Sequence, residues 1–174
     1  MAEGARMDVI IVGGGIGGSC LGSALASGGL SVLILERETE FHDRVRGEWI
    51  APWGVREMQT LEMYDTLIAA GGHHLSRHIS YDELVDPATA EANVLSLSAL
   101  GIPGPLTIEH VAMQNAALAR AMDCGAHVLR GVSNVTVTPG STPRVSYECD
   151  GRSSEAACRL IVGADGRTSS VRRQ

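Results

Sequence analysis

Five glycines in six positions, Gly13-Gly14-Gly15-Ile16-Gly17-Gly18, separate a β-branched run, Asp8-Val9-Ile10-Ile11-Val12, from a segment with helical spacing. So much glycine disfavours the interior of either element and marks a tight junction where backbone must approach backbone or a ligand. The run before it predicts a strand buried on both faces of a parallel sheet. From Ile16 to Ser27, Leu21 and Leu25 fall four apart, and Gly28-Gly29 supplies a helix stop. Leu30 to Leu35 then predicts a second buried strand. Together these segments make a βαβ unit of about 30 residues.

The glycines divide the work of that junction. Gly13, Gly15 and Gly18 fit G-x-G-x-x-G, with Gly13 for the tight turn, Gly15 for backbone approach to a pyrophosphate, and Gly18 for close packing of helix on strand. Ile16, Gly17 and Gly18 open the helix, whose unpaired N–H groups and positive dipole end favour phosphate charge. Glu36 closes the second strand, where a carboxylate accepts hydrogen bonds from ribose hydroxyls and repels a 2′-phosphate. These residues predict a site for the ADP half of a dinucleotide and leave FAD and NAD as alternatives. Taken alone, Glu36 and Arg37 also read as a solvated strand end.

Beyond this unit, residues 39–54 read as a loop carrying Arg44, Arg46, Trp49 and Trp53, and a helix is expected from Val55 to Ala70. Alternation from His74 to Leu84 predicts a strand that pairs with Asn93 to Leu97 as a hairpin. Ile108 to Met122 is helical in pattern, and strands are expected at 126–130, 132–138, 143–149 and 157–162. The expected fold is α/β, a Rossmann-like dinucleotide-binding domain with a central parallel sheet, a β-meander and an inserted partial β subdomain. Its boundaries are expected at 1–72 with 106–174, and the insertion at 73–105.

Several function classes recede on composition. The net charge is −6 over 174 residues, and the arginines form no stripe with interleaved aromatics, so nucleic-acid binding is not expected. Cys20, Cys124, Cys149 and Cys158 lack C-x-x-C spacing and read as reduced thiols. The apolar runs are far shorter than the ~20 residues that span a bilayer, and no signal pattern opens the chain, so a cytoplasmic protein away from membranes is expected. His74 and His78 are four apart on an expected strand, where about 13 Å would separate them, so they and His73 predict no metal site. Ser19 sits in a strand-to-helix turn, but G-x-S-x-G fails at Leu21, and Ser19 reads as an early helix residue near the phosphates.

A second motif narrows the ligand. Leu160-Ile161-Val162 runs into Gly163-Ala164-Asp165-Gly166-Arg167-Thr168-Ser169-Ser170-Val171-Arg172. With the glycine loop and Glu36-Arg37, this pattern resembles the FAD-dependent aromatic hydroxylase family typified by p-hydroxybenzoate hydroxylase, over nearly the whole chain. The resemblance implies FAD as cofactor, NADH or NADPH as transient reductant, and O₂-dependent hydroxylation of a small organic, aromatic substrate. It implies cofactor roles for Arg37 beside Glu36, for Asp165 and Gly166 toward FAD and the nicotinamide, for Arg46 at the pyrophosphate, and for Gln114 along the cofactor. On the residues alone, Asp165-Gly166 is equally a turn with Ser169 as a helix cap, and Arg46 and Gln114 are equally exposed loop and helix residues. No acid or base is assigned.

Members of that family are longer and carry a second, Gly-Asp motif for FAD. The chain is therefore expected to represent their N-terminal part, with the helix begun at Thr168 or Ser169 cut short at Gln174 and with self-association through the surface so exposed. The alternatives are an FAD-dependent reductase or halogenase of the same superfamily, or a noncatalytic nucleotide-binding remnant.

Overall fold

The computed structural model describes residues 6–43, 48–97 and 104–174. Two compact units form, one from Met1–Asp43 with Met113–Gln174 and the other from Arg44–Ala112. The first begins with β1 (Met7–Val12), α1 (Ile16–Ser27) and β2 (Val32–Leu35), in close agreement with the spacing of the sequence. The second unit holds β3 (Trp49–Ile50), α2 (Pro52–Thr60), α3 (Tyr64–Ala69), β4 (His73–His74), β5 (Arg77–His78), α4 (Pro87–Ala92), β6 (Leu95–Ser96) and β7 (Leu106–Thr107). Helix α5 (His110–Asp123) runs into the first unit, which continues through β8 (His127–Leu129), β9 (Ser133–Thr138), β10 (Arg144–Cys149) and β11 (Arg152–Gly163). A single 3₁₀ turn, Val171–Arg173, follows.

The first unit is built on a six-stranded sheet of order β8-β2-β1-β11-β10-β9. Its β8, β2, β1 and β11 are parallel neighbours, and β11, β10 and β9 form the antiparallel meander. One strand serves both arrangements: residues 152–157 of β11 pair with β10, and Cys158 to Gly163 pair with β1. Alternation along β1 and β2 then splits the core. Val9, Ile11, Val32 and Ile34 pack with Ala26 of α1 and with Leu118 and Ala121 of α5, while Ile10, Leu33 and Leu35 pack with Val145 and Tyr147 of the meander. Burial of each such aliphatic side chain contributes about 1.5–3 kcal/mol. Asp8 ties three strands' ends together by accepting from the Ser31 N–H and hydroxyl and from Arg159.

Five local expectations need correction. The helix expected over 55–70 is two helices, because Glu62 takes φ of 55° and ends α2. The Met63 N–H reaches the Met58 carbonyl and the Glu62 N–H that of Gln59, the paired bonds of a Schellman stop. The strand expected over 74–84 is reduced to His74 in β4 and to β5. Beyond it, Asp86 accepts from the Thr89 N–H at 3.0 Å and Pro87 starts α4. The hairpin pairing stands in short form, Arg77 opposite Ser96 and His78 opposite Leu95. Trp49–Ile50, placed in a loop by sequence, pairs with β7. Finally, β11 starts at Arg152 rather than 157, and the segment where a helix was expected to begin at Thr168 or Ser169 forms a 3₁₀ turn, Val171–Arg173, instead of an α-helix.

Gln174 is not a loose end. Its side-chain amide accepts from the Val137 N–H at 2.6 Å and donates to the Val135 carbonyl at 3.1 Å, pairing the outer edge of β9. Among the described residues no helix is long and apolar enough to cross a membrane.

Candidate functional site

The site lies at the carboxyl ends of neighbouring parallel strands, where open α/β sheets bind ligands. Gly13 leaves β1 with φ of 107°, and its N–H donates to the Leu35 carbonyl at 2.8 Å. A Cβ on Gly13 would stand 2.5 Å from the Ala164 carbonyl oxygen and 2.8 Å from the Asp165 nitrogen, so the first glycine loop packs directly on the second motif. A Cβ on Gly18 would lie 1.9 Å from the Gly13 oxygen. These two glycines are demanded by the protein's own packing.

Gly15 and Gly17 differ. A Cβ at either would meet nothing within 4 Å, so on this side the loop presents bare backbone to open space. Gly15 caps α1 with no side-chain bond, and no acidic residue stands in the first turn. The N–H groups of Ile16, Gly17 and Gly18 precede the first intrahelical bond, from Ser19 to the Gly15 carbonyl, and form the positive end of the helix dipole. A diphosphate fits that combination in charge and space. Ser19 is fully buried and donates to the Gly14 carbonyl at 2.8 Å, so it braces the loop from within.

Glu36 is 6% exposed. Its Oε2 accepts from the Gly14 N–H at 2.6 Å and its Oε1 from the Glu38 N–H at 2.8 Å. The Glu36 backbone is clamped too, donating to Leu129 and accepting from Val132. Two bonds leave further lone pairs on the carboxylate, which suits it to ribose hydroxyls. Gly14, missed by the sequence pattern, matters because a Cβ there would lie 3.2 Å from Oε2 of Glu36. The run of three glycines was its only signal. Arg37 turns to solvent and pairs with Glu38 at 3.1 Å. Arg130 braces the neighbouring segment, donating from Nε to the Glu38 carbonyl at 3.0 Å and lying 4.4 Å over the Phe41 ring.

The Asp165 carboxylate serves its own loop. It accepts from the hydroxyls of Ser169 at 2.5 Å and Ser170 at 2.9 Å, and from the N–H groups of Ser170 at 2.6 Å and Val171 at 3.2 Å. Burial pushes its pKa up, but these donors together outweigh burial and hold it at about 2. Gly166 has φ of 82° and its carbonyl accepts from the Ser169 N–H. The Asp-Gly turn is therefore present, and the Ser169 hydroxyl accepts from the Arg172 N–H at 3.0 Å, although the turn that follows is 3₁₀ and Ser170, not Ser169, stands at its N-cap.

Gln114 lies half-buried on α5. Arg46 falls outside the described residues. In the second unit, His74 bonds to the Tyr64 hydroxyl and the Gly104 carbonyl, and His78 to Ser80. No group of three or more metal-ligating side chains occurs among the described residues.

A family model described as FAD binding domain matches residues 6–174. The chain belongs to this FAD-binding domain family. Mouse (Mus musculus) squalene monooxygenase is 39% identical over 75 residues, which are 43% of this chain and 13% of the relative. Menaquinone reductase of Mycolicibacterium smegmatis is 26% identical over 97% of this chain and 39% of its own length. The solved structure of OxyS anhydrotetracycline hydroxylase from Streptomyces rimosus is similar with a TM-score of 0.78 and 24% identity, over 97% of this chain and 33% of that one. The FAD-binding domain thus spans less than half the length of these relatives. FAD suits the residues present, since the open faces of Gly15 and Gly17 and the clamped Glu36 carboxylate match a diphosphate and a ribose.

Proposed function

We propose that this FAD-binding domain belongs to a flavin-dependent monooxygenase that takes electrons from NADH or NADPH and hydroxylates a small organic, aromatic substrate. One observation carries the cofactor half of the proposal: the Gly13 turn is seated on Ala164–Asp165, which brings the glycine loop and the Asp-Gly loop together at the carboxyl ends of β1 and β11. The names of the squalene monooxygenase and hydroxylase relatives support the oxygenase half.

Each residue has a stated part. The backbone at Gly13, Gly15, Ile16, Gly17 and Gly18 holds the pyrophosphate, and Glu36 holds the ribose. Asp165 and Gly166 shape the second wall of the site by fixing the turn through Val171. Arg37, Arg46 and Gln114 are assigned to the cofactor on the family resemblance alone. When bound, FAD supplies two-electron redox chemistry, and the chain supplies binding, orientation and exclusion of water.

The test begins with FAD titration of the purified chain, followed by flavin absorbance; saturable binding is expected. NAD(P)H-dependent O₂ uptake with ¹⁸O from ¹⁸O₂ in the product, measured on the full-length protein, tests the oxygenase. NAD(P)H oxidation that reduces a quinone without O₂ uptake would instead establish a reductase. That second activity is favoured by the menaquinone reductase match, which runs over 97% of this chain.

A further inference from the structure

We infer that Gln174 is a positioning residue for the cofactor site, the far anchor of a strap that runs from the Asp-Gly loop to the outer edge of the meander. The role rests on the FAD reading above. The strap begins at Asp165, whose carboxylate accepts from the Ser170 and Val171 N–H groups and from the Ser169 and Ser170 hydroxyls. It ends at the Gln174 amide, which bridges β9 by accepting from the Val137 N–H and donating to the Val135 carbonyl.

That second anchor is specific. β9 closes one side of the six-stranded sheet, so its outward N–H and C=O groups stand free for water. Holding a long side chain against them costs rotamer freedom, and a primary amide offsets the cost because its one acceptor and its donors match an N–H and a carbonyl at once. The side chain thus stands where a neighbouring strand would pair.

The contacts between the anchors are continuous. The Gln174 N–H donates to the Val171 carbonyl and the Arg173 N–H to that of Ser170. Val171 packs on the end of β11, where a Cβ on Gly163 would lie 3.0 Å from its Cβ and Cγ1. The next two residues, Ala164 and Asp165, are those on which the Gly13 turn is seated. Gly166 beside them has open space where a Cβ would stand, as do Gly15 and Gly17. With Gln174 latched, this bare backbone is ordered before nucleotide arrives; unlatched, binding has to order it and is weakened by that amount.

The experiment compares the full wild-type chain with Q174M, V137P and Q174M/V137P by isothermal titration with FAD and ADP, thermal melts and amide hydrogen exchange. Methionine keeps the length of the side chain and removes both bonds, and proline deletes only the outward N–H, which an edge strand tolerates. In folded Q174M, FAD and ADP are expected to bind roughly three- to tenfold more weakly. The Ser170 and Val171 N–H groups should also exchange faster than in wild type. The double variant should bind no more weakly than Q174M, because both changes cut the same latch. Wild-type affinity in Q174M, unchanged exchange at Ser170 and Val171, or additive losses in the double variant would each overturn the assignment. If V137P does not fold, the affinity and exchange of Q174M decide alone. A wild-type chain that binds neither FAD nor ADP overturns the cofactor reading and this one with it, whereas wild-type binding that Q174M retains in full overturns this one alone.

Discussion

The glycines of the first loop are chemically identical and physically unlike. Gly18→Ala would drive a Cβ to 1.9 Å from the Gly13 oxygen, so a stability loss of about 3 kcal/mol or more is expected in urea melts. Gly15→Ala meets nothing within 4 Å and keeps an ordinary φ of −66°. Its melt should shift by less than about 1 kcal/mol, while FAD affinity drops about tenfold or more because the methyl fills the approach to the pyrophosphate. Equal FAD binding by wild type and Gly15→Ala would place the phosphates elsewhere. Glu36→Gln turns an amide N–H toward a backbone N–H and removes charge-assisted acceptance, so FAD binding should weaken by about 1.5–3 kcal/mol in fluorescence titration. The three-glycine pattern and the acid were legible because spacing encodes them. That the carboxylate is gripped by Gly14 and Glu38, or that Asp165 bonds four donors of its own loop, was not, since hydrogen-bond direction leaves no mark in composition.

Elements were legible where they repeat a period and obscure where one residue breaks it. β1, α1 and β2 follow their apolar spacing closely. The break between α2 and α3 rests on Glu62, a side chain with good helix propensity in a left-handed conformation, and the sequence offers no glycine there to announce the stop. By contrast α1, α3 and α5 end at Gly29, Gly71 and Gly125 with the same pair of bonds. Glu62→Gly should therefore raise the melting temperature, by a gain of about 0.5–1 kcal/mol, as the left-handed strain disappears. A lower melting temperature would mean that the glutamate side chain contributes more than its backbone costs. The strand predicted near 74–84 failed for the opposite reason. Asp86-Pro87 is a strong helix start that local alternation concealed. The polar run Arg152-Ser-Ser-Glu looks like a turn, yet it is paired β11 with its side chains exposed.

At the scale of the molecule, two carboxylates of the first unit contribute to its acid response. Asp165 is held at about 2 by the balance already described, and Asp8 at about 2 by the Ser31 backbone and hydroxyl and by Arg159. Each lies below the ordinary aspartate value of 3.8, so each contributes stability that is full above about pH 4 and is lost as pH falls toward 2. Unfolding free energy measured by urea between pH 5 and pH 2 should fall along that window. Asp165→Asn should be less stable at pH 6 and flatter in pH dependence; a parallel curve would show that the carboxylate's bonds contribute nothing net. The parallel sheet with its meander followed from the order of apolar runs, but its strand order did not, because pairing across most of the chain has no local signature.

That order has a kinetic consequence. β11 follows the other five strands of this sheet in sequence and occupies its middle, between β1 and β10. Until it arrives, β1 carries an open edge, and the nearby β10 is the partner that β11 meets first. The hairpin should thus form early and dock late, since Met7 must find Cys158 across a loop nearly as long as the chain. Conservative truncations along β1, such as Ile10→Val, should accelerate unfolding far more than they slow refolding. Nucleotide, by seating on the Gly13 junction that only the docked strand completes, would then act as a latch on the final step of assembly.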